Sequence, residues 1–221
     1  MFVAVSMAVA PTLTFTFSDV HANKTATETD TFAVNSAGVI AGDYVDSGGV
    51  QHAMINLGGG FPTRYLKPAP SVRTYGQTIF RALRRHFGNR IPETIIEPGR
   101  GMVGNAGIIE AEVVLISRKS VEDRRRWVYL DIGKFNGLAE TMEEMIRYPI
   151  RTDYDDDALG PCVLAGPSCD SVDVLYEKEP YLLPITLEIG AKVLIEGTGA
   201  YTTTYSSVGF NGFAPLKSYV I

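Results

Sequence analysis

The first quarter of the chain alternates short apolar runs with polar, glycine-containing turns. Between Thr31 and Met54, runs rich in β-branched residues are interrupted first by Asn-Ser-Ala-Gly and then by Asp-Ser-Gly-Gly. Such sequences favour tight reversals between neighbouring strands. The pattern therefore predicts a β-hairpin segment within residues 1–55.

From residue 54 the pattern changes to strand, glycine-rich loop, helix and second strand. One apolar run, 54–57, stops at three glycines, and another, 94–96, stops at Glu-Pro-Gly-Arg. This order predicts a β/α-type unit over residues 56–105, with both loops at the carboxyl ends of strands. A helix is predicted over 71–87, with an apolar face formed by Val72, Tyr75, Ile79, Phe80, Leu83 and Phe87.

Beyond residue 105 the apolar runs are short, so residues 106–221 are predicted to form a mainly β domain. One helix is expected over 138–147, where Leu138, Met142 and Met145 share a face. The predicted fold class is therefore α+β and mainly β. The predicted strands are 108–116, 126–132, 172–176 and 187–195, the last with a turn at Ile189-Gly190.

Composition and charge exclude several classes of protein. A net charge of -5 and a pI near 5.3 argue against nucleic-acid binding, which needs a basic stripe. The densest basic cluster, Arg124 to Arg126, is interpreted as a solvated loop flank. Two cysteines and three histidines predict no zinc site. No apolar run reaches the roughly 18 to 20 residues of a membrane span, so no membrane partner is expected.

The N-terminus is only weakly similar to a secretion signal. An apolar start and the small-residue pattern before Asn23 fit such a signal, but no basic residue precedes Lys24, and Pro11 and Asp19 interrupt the run. We therefore expect a cytoplasmic protein, with secretion as the alternative.

Two motifs of the β/α-type unit could bind an anionic ligand. Gly58, Gly59 and Gly60 can bring backbone N–H groups close to an anion, or simply form a flexible turn. Glu97 and Arg100 lie on one turn and can hold a protonated ring nitrogen and a phosphate. The alternative for this second motif is a surface ion pair at a strand end.

Two further motifs lie in the β domain. Cys169 and Asp170 place a thiol beside a carboxylate, although a buried structural cysteine next to a capping aspartate has the same sequence. Tyr201 follows Gly199 and Ala200 and, taken alone, is a tyrosine at the edge of a strand.

In their order and approximate spacing, these motifs resemble those of the ornithine/lysine decarboxylases, which are pyridoxal 5'-phosphate (PLP) enzymes of fold type III. The segments LDIGKF and YTTTYSS are similar to the bacterial branch, and the resemblance covers residues 54–221. It implies that 56–105 is a remnant of the last two β/α units of a PLP-binding barrel, followed by a β-sandwich-like domain. The motifs are LGGGFP, EPGR, GPSCDS, GAYT and FNGF.

The resemblance also implies roles for single residues. Arg100, Tyr201 and the three glycines would bind the cofactor phosphate, while Glu97 would pair with the pyridine nitrogen and keep the ring electron-withdrawing. The cofactor-binding residues implied in this way are Gly58, Gly59, Gly60, Glu97, Gly99, Arg100 and Tyr201.

On the substrate side, the resemblance implies that Cys169 donates the proton that replaces CO₂. Asp170 would bind the distal amine of the substrate, and both residues would reach across a dimer interface. Phe210 would line the pocket, and Glu144, or Glu143 beside it, would supply a further acid. Two lysines, Lys134 and Lys192, are interpreted as solvated surface residues.

Two parts of the family pattern have no counterpart in this chain. The family joins PLP through a lysine on an N-terminal strand and stacks a histidine on the ring. Only Lys24 and Lys67 precede Arg100, and neither lies in such a strand. His52 lies within 31–54, a segment that resembles a single HAF-type repeat of extracellular proteins. We therefore expect residues 1–55 to be an unrelated segment and the chain alone to be incomplete and inactive.

The implied reaction is loss of CO₂ from L-ornithine or L-lysine, which gives putrescine or cadaverine for polyamine biosynthesis. The implied partners are a basic amino acid and either a second copy of the chain or an intact decarboxylase subunit. Two alternatives remain open. One is a catalytically silent protein that binds a decarboxylase subunit, and the other is a secreted β-rich module.

Overall fold

Residues 28–34 and 40–221 are described by the computed structural model of this chain, and they belong to two units. The first unit runs through Met1–Phe61 and Pro70–Gly99, and the second through Pro62–Ala69 and Arg100–Ile221. The signal-like N-terminus and the first predicted turn, 35–38, lie outside the described residues.

A four-stranded sheet in the order β1-β2-β3-β4 organises the first unit. Strands β1 to β3 are antiparallel neighbours, and β4 pairs with β3 in parallel. The second predicted turn is confirmed, since the Asp46 carboxylate accepts hydrogen bonds from the N–H groups of Gly48 and Val50. Strand β3 crosses the predicted boundary at residue 55. The strands are β1 (Glu28–Val34), β2 (Ile40–Val45), β3 (Gln51–Asn56) and β4 (Glu93–Ile95).

Helix α1 (Val72–Phe87) connects β3 to β4 and confirms the predicted helix. The Ser71 side chain accepts from the N–H of Thr74 at the first turn, and Gly88 ends the helix with a φ of 59°. Only part of the predicted apolar face is covered, because Leu83 is buried whereas Phe80 is exposed.

The second unit contains a six-stranded sheet in the order β7-β10-β5-β6-β8-β9, in which only β6 and β8 pair in parallel. The strands are β5 (Ile108–Ser117), β6 (Arg126–Leu130), β7 (Ile150–Thr152), β8 (Leu159–Ala165), β9 (Val174–Pro184) and β10 (Lys192–Glu196). The helical segments are α2 (Gly99–Val103), which starts at the unit boundary, and 3-10 turns at Gly104–Ala106, Ala139–Glu144, Thr203–Tyr205 and Phe210–Gly212.

This sheet curls until its two edge strands meet. The Tyr181 hydroxyl of β9 accepts a hydrogen bond from the N–H of Ile150 in β7, at 3.1 Å, and donates one to the carbonyl of Tyr148, at 2.9 Å. Burial raises the pKa of Tyr181 to about 12, so the hydroxyl keeps its proton at neutral pH. A single curled sheet around one core thus replaces the predicted sandwich of two sheets. The core includes Val113, Val128, Leu130, Ile132, Leu164, Leu175, Tyr176, Val193 and Ile195.

Two local predictions are wrong, and two strands were missed. Residues 139–144 form a 3-10 turn, not part of an α-helix over 138–147, because Met142 and Glu143 have non-helical backbone angles. Arg126 is buried rather than solvated, and its guanidinium donates to the carbonyl oxygens of Leu183, Pro184 and Ile185. Strands β7 and β8 were not predicted, since β7 has only three residues, directly after Pro149, and Gly160 and Pro161 interrupt the apolar pattern of β8.

Replacing Tyr181 by phenylalanine is expected to lower the free energy of unfolding by about 1 to 3 kcal/mol, because it leaves a backbone N–H and a carbonyl unpaired at the meeting edges. Tyr148→Phe is the matched control, since the Tyr148 hydroxyl is buried without a hydrogen-bond partner among the described residues. Urea denaturation followed by circular dichroism measures both. If Tyr181→Phe and Tyr148→Phe lower the free energy of unfolding equally, the closure of the sheet by Tyr181 is contradicted.

Candidate functional site

In the first unit, the glycine loop and the Glu97 turn lie side by side. The N–H of Glu97 donates to the carbonyl of Gly58, at 2.8 Å. Asn56 is buried between them: its amide donates to Glu97 Oε1 at 2.8 Å, and its side-chain oxygen accepts from the N–H of Gly58 at 2.7 Å. Asn56 was not predicted as a site residue, although a polar residue inside an apolar strand was the available signal.

The backbone of this loop requires glycine. Gly58 and Gly60 have φ values of 69° and 79°, in the left-handed region that other residues rarely adopt. A Cβ on Gly59 would lie 3.1 Å from the carbonyl oxygen of Glu97. Gly59 and Gly60 are exposed, so this loop has the composition and the accessibility of an anion-binding turn.

In the second unit, Arg100 is held by a carboxylate and two tyrosines. Its Nη1 and Nη2 atoms donate to the two oxygens of Glu140 at 2.6 and 2.5 Å, and Nη1 also donates to the Tyr65 hydroxyl at 2.8 Å. The guanidinium carbon lies 4.8 Å from the ring centre of Tyr201. Hydrogen bonding to Glu140 raises the pKa of Arg100 further above its ordinary value. Arg100 and Tyr201 were predicted from the sequence, whereas Glu140 and Tyr65 were not.

The loop 166–173 presents Cys169. It is closed by a hydrogen bond from the N–H of Gly166 to the carbonyl of Asp173, at 2.8 Å. Cys169 is exposed and has a φ of 59°, whereas Cys162 is buried and its thiol pKa is raised to about 12 by that burial. Cys169 is therefore the accessible thiol, not the buried structural cysteine of the alternative interpretation. Asp170 caps the loop by accepting from the N–H of Val172 at 2.8 Å.

The Phe210 segment lies against the same loop. The Asn211 side chain donates to the carbonyl of Ser168 at 2.8 Å, which links this segment to the residue before Cys169. Phe210 stacks on Phe135 with ring centres 4.0 Å apart. The structure thus places the Phe210 segment against the loop that carries Cys169, although the two are far apart in the sequence.

Of the two acid candidates, Glu144 is occupied by internal contacts. Its oxygens accept from the backbone N–H groups of residues 177–179 and from Arg147. Glu143 instead has a side chain that is 78% exposed and pairs with Lys178 at 2.9 Å. Glu143 is therefore the acid that a ligand can reach.

The two lysines interpreted as solvated behave differently. Lys192 is exposed and pairs with Glu112 at 2.8 Å, as predicted. Lys134 is half-buried, and burial lowers the pKa of its ammonium below the ordinary value, against the opposing effect of Asp173 and two glutamates. The prediction for Lys134 is wrong because the chain folds around it.

Left-handed backbone conformations occur at the predicted site residues. Such conformations cost free energy in residues with a side chain, and they cluster at active sites and ligand-binding segments. In the described part of the chain, five residues other than glycine have a positive φ. Three of them are predicted site residues, one is the stated alternative Glu143, and one is the neighbour of Phe210. The five residues are Glu143, Glu144, Cys169, Tyr201 and Asn211.

A family model described as pyridoxal-dependent decarboxylase, C-terminal sheet domain, matches residues 3–199. The chain belongs to this family. The match extends over most of 1–55, and the likeness of that segment to a HAF-type repeat stays a prediction. No helix in the described ranges has the length and apolar character needed to cross a membrane.

The chain is similar to decarboxylases that act on several diamino acids. It is 30% identical over 173 residues to lysine/ornithine decarboxylase of Selenomonas ruminantium, covering 77% of this chain and 41% of the relative. A diaminopimelate decarboxylase of Staphylococcus aureus strain COL is 28% identical over 164 residues, which cover 72% of this chain and 38% of the relative. The cadaverine complex of lysine/ornithine decarboxylase from Vibrio vulnificus matches with a TM-score of 0.62 and 31% identity, over 73% of this chain and 42% of that one. The chain thus spans about two fifths of the length of these relatives.

Proposed function

We propose that this chain contributes the proton-donating side of a site that decarboxylates a basic amino acid, L-ornithine or L-lysine. The observation that supports the proposal most is the left-handed backbone at Cys169, Tyr201 and Glu143. Such a conformation costs free energy that surrounding contacts must offset, and residues that adopt it cluster at active sites and ligand-binding segments.

The residues present fit PLP by their chemistry. In the first unit, the exposed glycine loop suits a phosphate, and Glu97, oriented by Asn56, suits a protonated pyridine nitrogen. In the second unit, Arg100 beside the Tyr201 ring is a guanidinium of the kind that binds phosphate, and it is paired here with Glu140. When bound, PLP supplies an electron-withdrawing ring that lets the substrate carboxylate leave as CO₂. In this proposal, residues 56–105 correspond to the last two β/α units of the relatives' cofactor-binding part.

The chain's own residues complete the reaction. One C–C bond breaks as CO₂ leaves, and a C–H bond forms at the same carbon with the proton of Cys169 Sγ, which solvent then replaces. Asp170, the residue after Cys169, and the exposed Glu143 are the two carboxylates that we assign to the distal ammonium of a diamino acid. The Phe135 and Phe210 rings, stacked on each other, would exclude water from the aliphatic part of the substrate.

The thiol would act on substrate held by a partner subunit, either a second copy of the chain or an intact decarboxylase. The direct test mixes the chain with an intact lysine/ornithine decarboxylase subunit whose own motif cysteine is replaced by alanine. In such a mixture, only a site that combines the partner's lysine with Cys169 of this chain is complete.

Release of labelled CO₂ is measured with L-lysine, L-ornithine and diaminopimelate as substrates. We expect negligible turnover by the chain alone and by the altered subunit alone, and measurable turnover in the mixture with L-lysine or L-ornithine. Stable association without turnover would instead identify a catalytically silent partner. Neither association nor turnover would contradict the proposal.

A further inference from the structure

A buried carboxylate, Asp173, lies at the base of the loop that presents Cys169. The residue is 2% exposed, and within the described ranges no basic nitrogen lies within 4.0 Å of its carboxylate. The Lys134 ammonium acts on it only through longer-range attraction. The Oδ1 atom of Asp173 accepts from the N–H of Lys134 at 2.7 Å. Its Oδ2 atom accepts from the hydroxyl of Ser168 at 2.6 Å and from the N–H of the same residue at 3.2 Å. A buried carboxylate is costly unless it is hydrogen-bonded in this way.

Two glycines make room for this carboxylate. A Cβ on Gly133 would lie 2.1 Å from Asp173 Oδ1, and one on Gly166 would lie 2.3 Å from Oδ2. Neither glycine has a positive φ, so the backbone itself would accept another residue at both positions. Their shared feature is contact with Asp173, which indicates that the fold is built around the carboxylate.

The Asp173 contacts connect three segments of the proposed site. They join the 133–135 segment to the loop 166–173, and the Ser168 carbonyl in turn accepts from Asn211, next to Phe210. Cys169 follows Ser168 directly and has the left-handed φ of 59°. The residue before the strained position is therefore fixed through its N–H, its hydroxyl and its carbonyl.

We propose that Asp173 is a positioning residue that holds Cys169 in its left-handed conformation, with the thiol exposed. The inference rests on the proposed function, in which this thiol donates the proton. It concerns the geometry of the loop, however, and can be tested on the chain without cofactor or substrate.

The test compares NMR spectra and amide hydrogen exchange of the native chain with those of Asp173→Asn and Gly166→Ala. The first variant replaces one carboxylate oxygen by an NH₂ group, so Ser168 is left facing either this donor or an uncharged amide oxygen. The second displaces the carboxylate without removing its charge. In both, we expect exchange of the Ser168 amide to become about ten-fold faster or more, since a hydrogen bond to a charged group is lost. The strong contact between the amide and Hα protons of Cys169, a mark of positive φ, should weaken at the same time.

Asp156→Asn is the matched control, because that carboxylate is exposed in the same unit. It should leave the Cys169 signals unchanged. Ser168→Ala is the milder variant that carries the test if the first two do not fold, and its effect should be confined to the loop and to Asn211. Unchanged Cys169 signals in every folded variant would overturn the proposal. The proposal would also be overturned if amide exchange and NMR signals changed equally throughout the core, because Asp173 would then have a merely structural role. Both outcomes are independent of whether the mixed decarboxylase turns over.

Discussion

Replacing Gly199 by alanine is expected to destabilise the second unit by about 3 kcal/mol or more, enough to unfold much of it. A Cβ at this position would lie 1.8 Å from the carbonyl oxygen of Val103 and 2.9 Å from the N–H nitrogen of Gly107. Both are backbone atoms that cannot rotate away. The N–H of Gly199 also donates to the carbonyl of Gly104, so this close approach is part of the hydrogen-bonded structure that precedes Tyr201.

Thermal unfolding of the purified variants measures this effect. Gly76→Ala is the matched control, because a Cβ there meets nothing within 4 Å and lies inside helix α1. It should be neutral or slightly stabilising. If the Gly199→Ala chain unfolds at the same midpoint temperature as the native chain, the close backbone contact described above is contradicted.

Arg100→Gln is expected to have the second largest effect, a loss of about 3 kcal/mol in the free energy of unfolding. The change leaves the Glu140 carboxylate without the two hydrogen bonds from the guanidinium, and both side chains of the pair are less than one quarter exposed. The double variant, with Glu140→Gln added, should recover much of the loss because no charge then remains unpaired.

Urea denaturation of the single and double variants forms the cycle that tests this pair. Lys192→Gln is the control, since its ion pair with Glu112 is exposed and such pairs contribute about 1 kcal/mol or less. If Arg100→Gln costs no more than Lys192→Gln, the Arg100 pair does not hold this part of the site together.

Local signals made some of the architecture predictable. Helix α1 was predicted nearly to the residue because Ser71 and Gly88 mark its ends and its apolar residues recur at helical spacing. The left-handed conformation of Gly58 and Gly60 follows from the same kind of information, since glycine is the residue that adopts it freely.

Features that depend on distant residues could not be predicted in this way. Strands β7 and β9 meet through the Tyr181 hydroxyl, which accepts from the N–H of Ile150, 31 residues away in the sequence. Glu140 likewise lies 40 residues from Arg100. Asp173 was read only as part of a strand, because nothing in the local sequence shows that Gly133 faces its carboxylate. The motif resemblance located Cys169 and Tyr201, but the choice between Glu143 and Glu144 required the contacts of both side chains.

The most direct test of the central claim asks whether turnover in the mixture with the altered intact subunit depends on Cys169. With L-lysine or L-ornithine as substrate, the Cys169→Ala chain should lose the CO₂ release that the native chain restores. The Cys162→Ala chain should retain it, because that thiol is buried in the core. Equal turnover with the native and Cys169→Ala chains would contradict the assignment of this thiol as the proton donor.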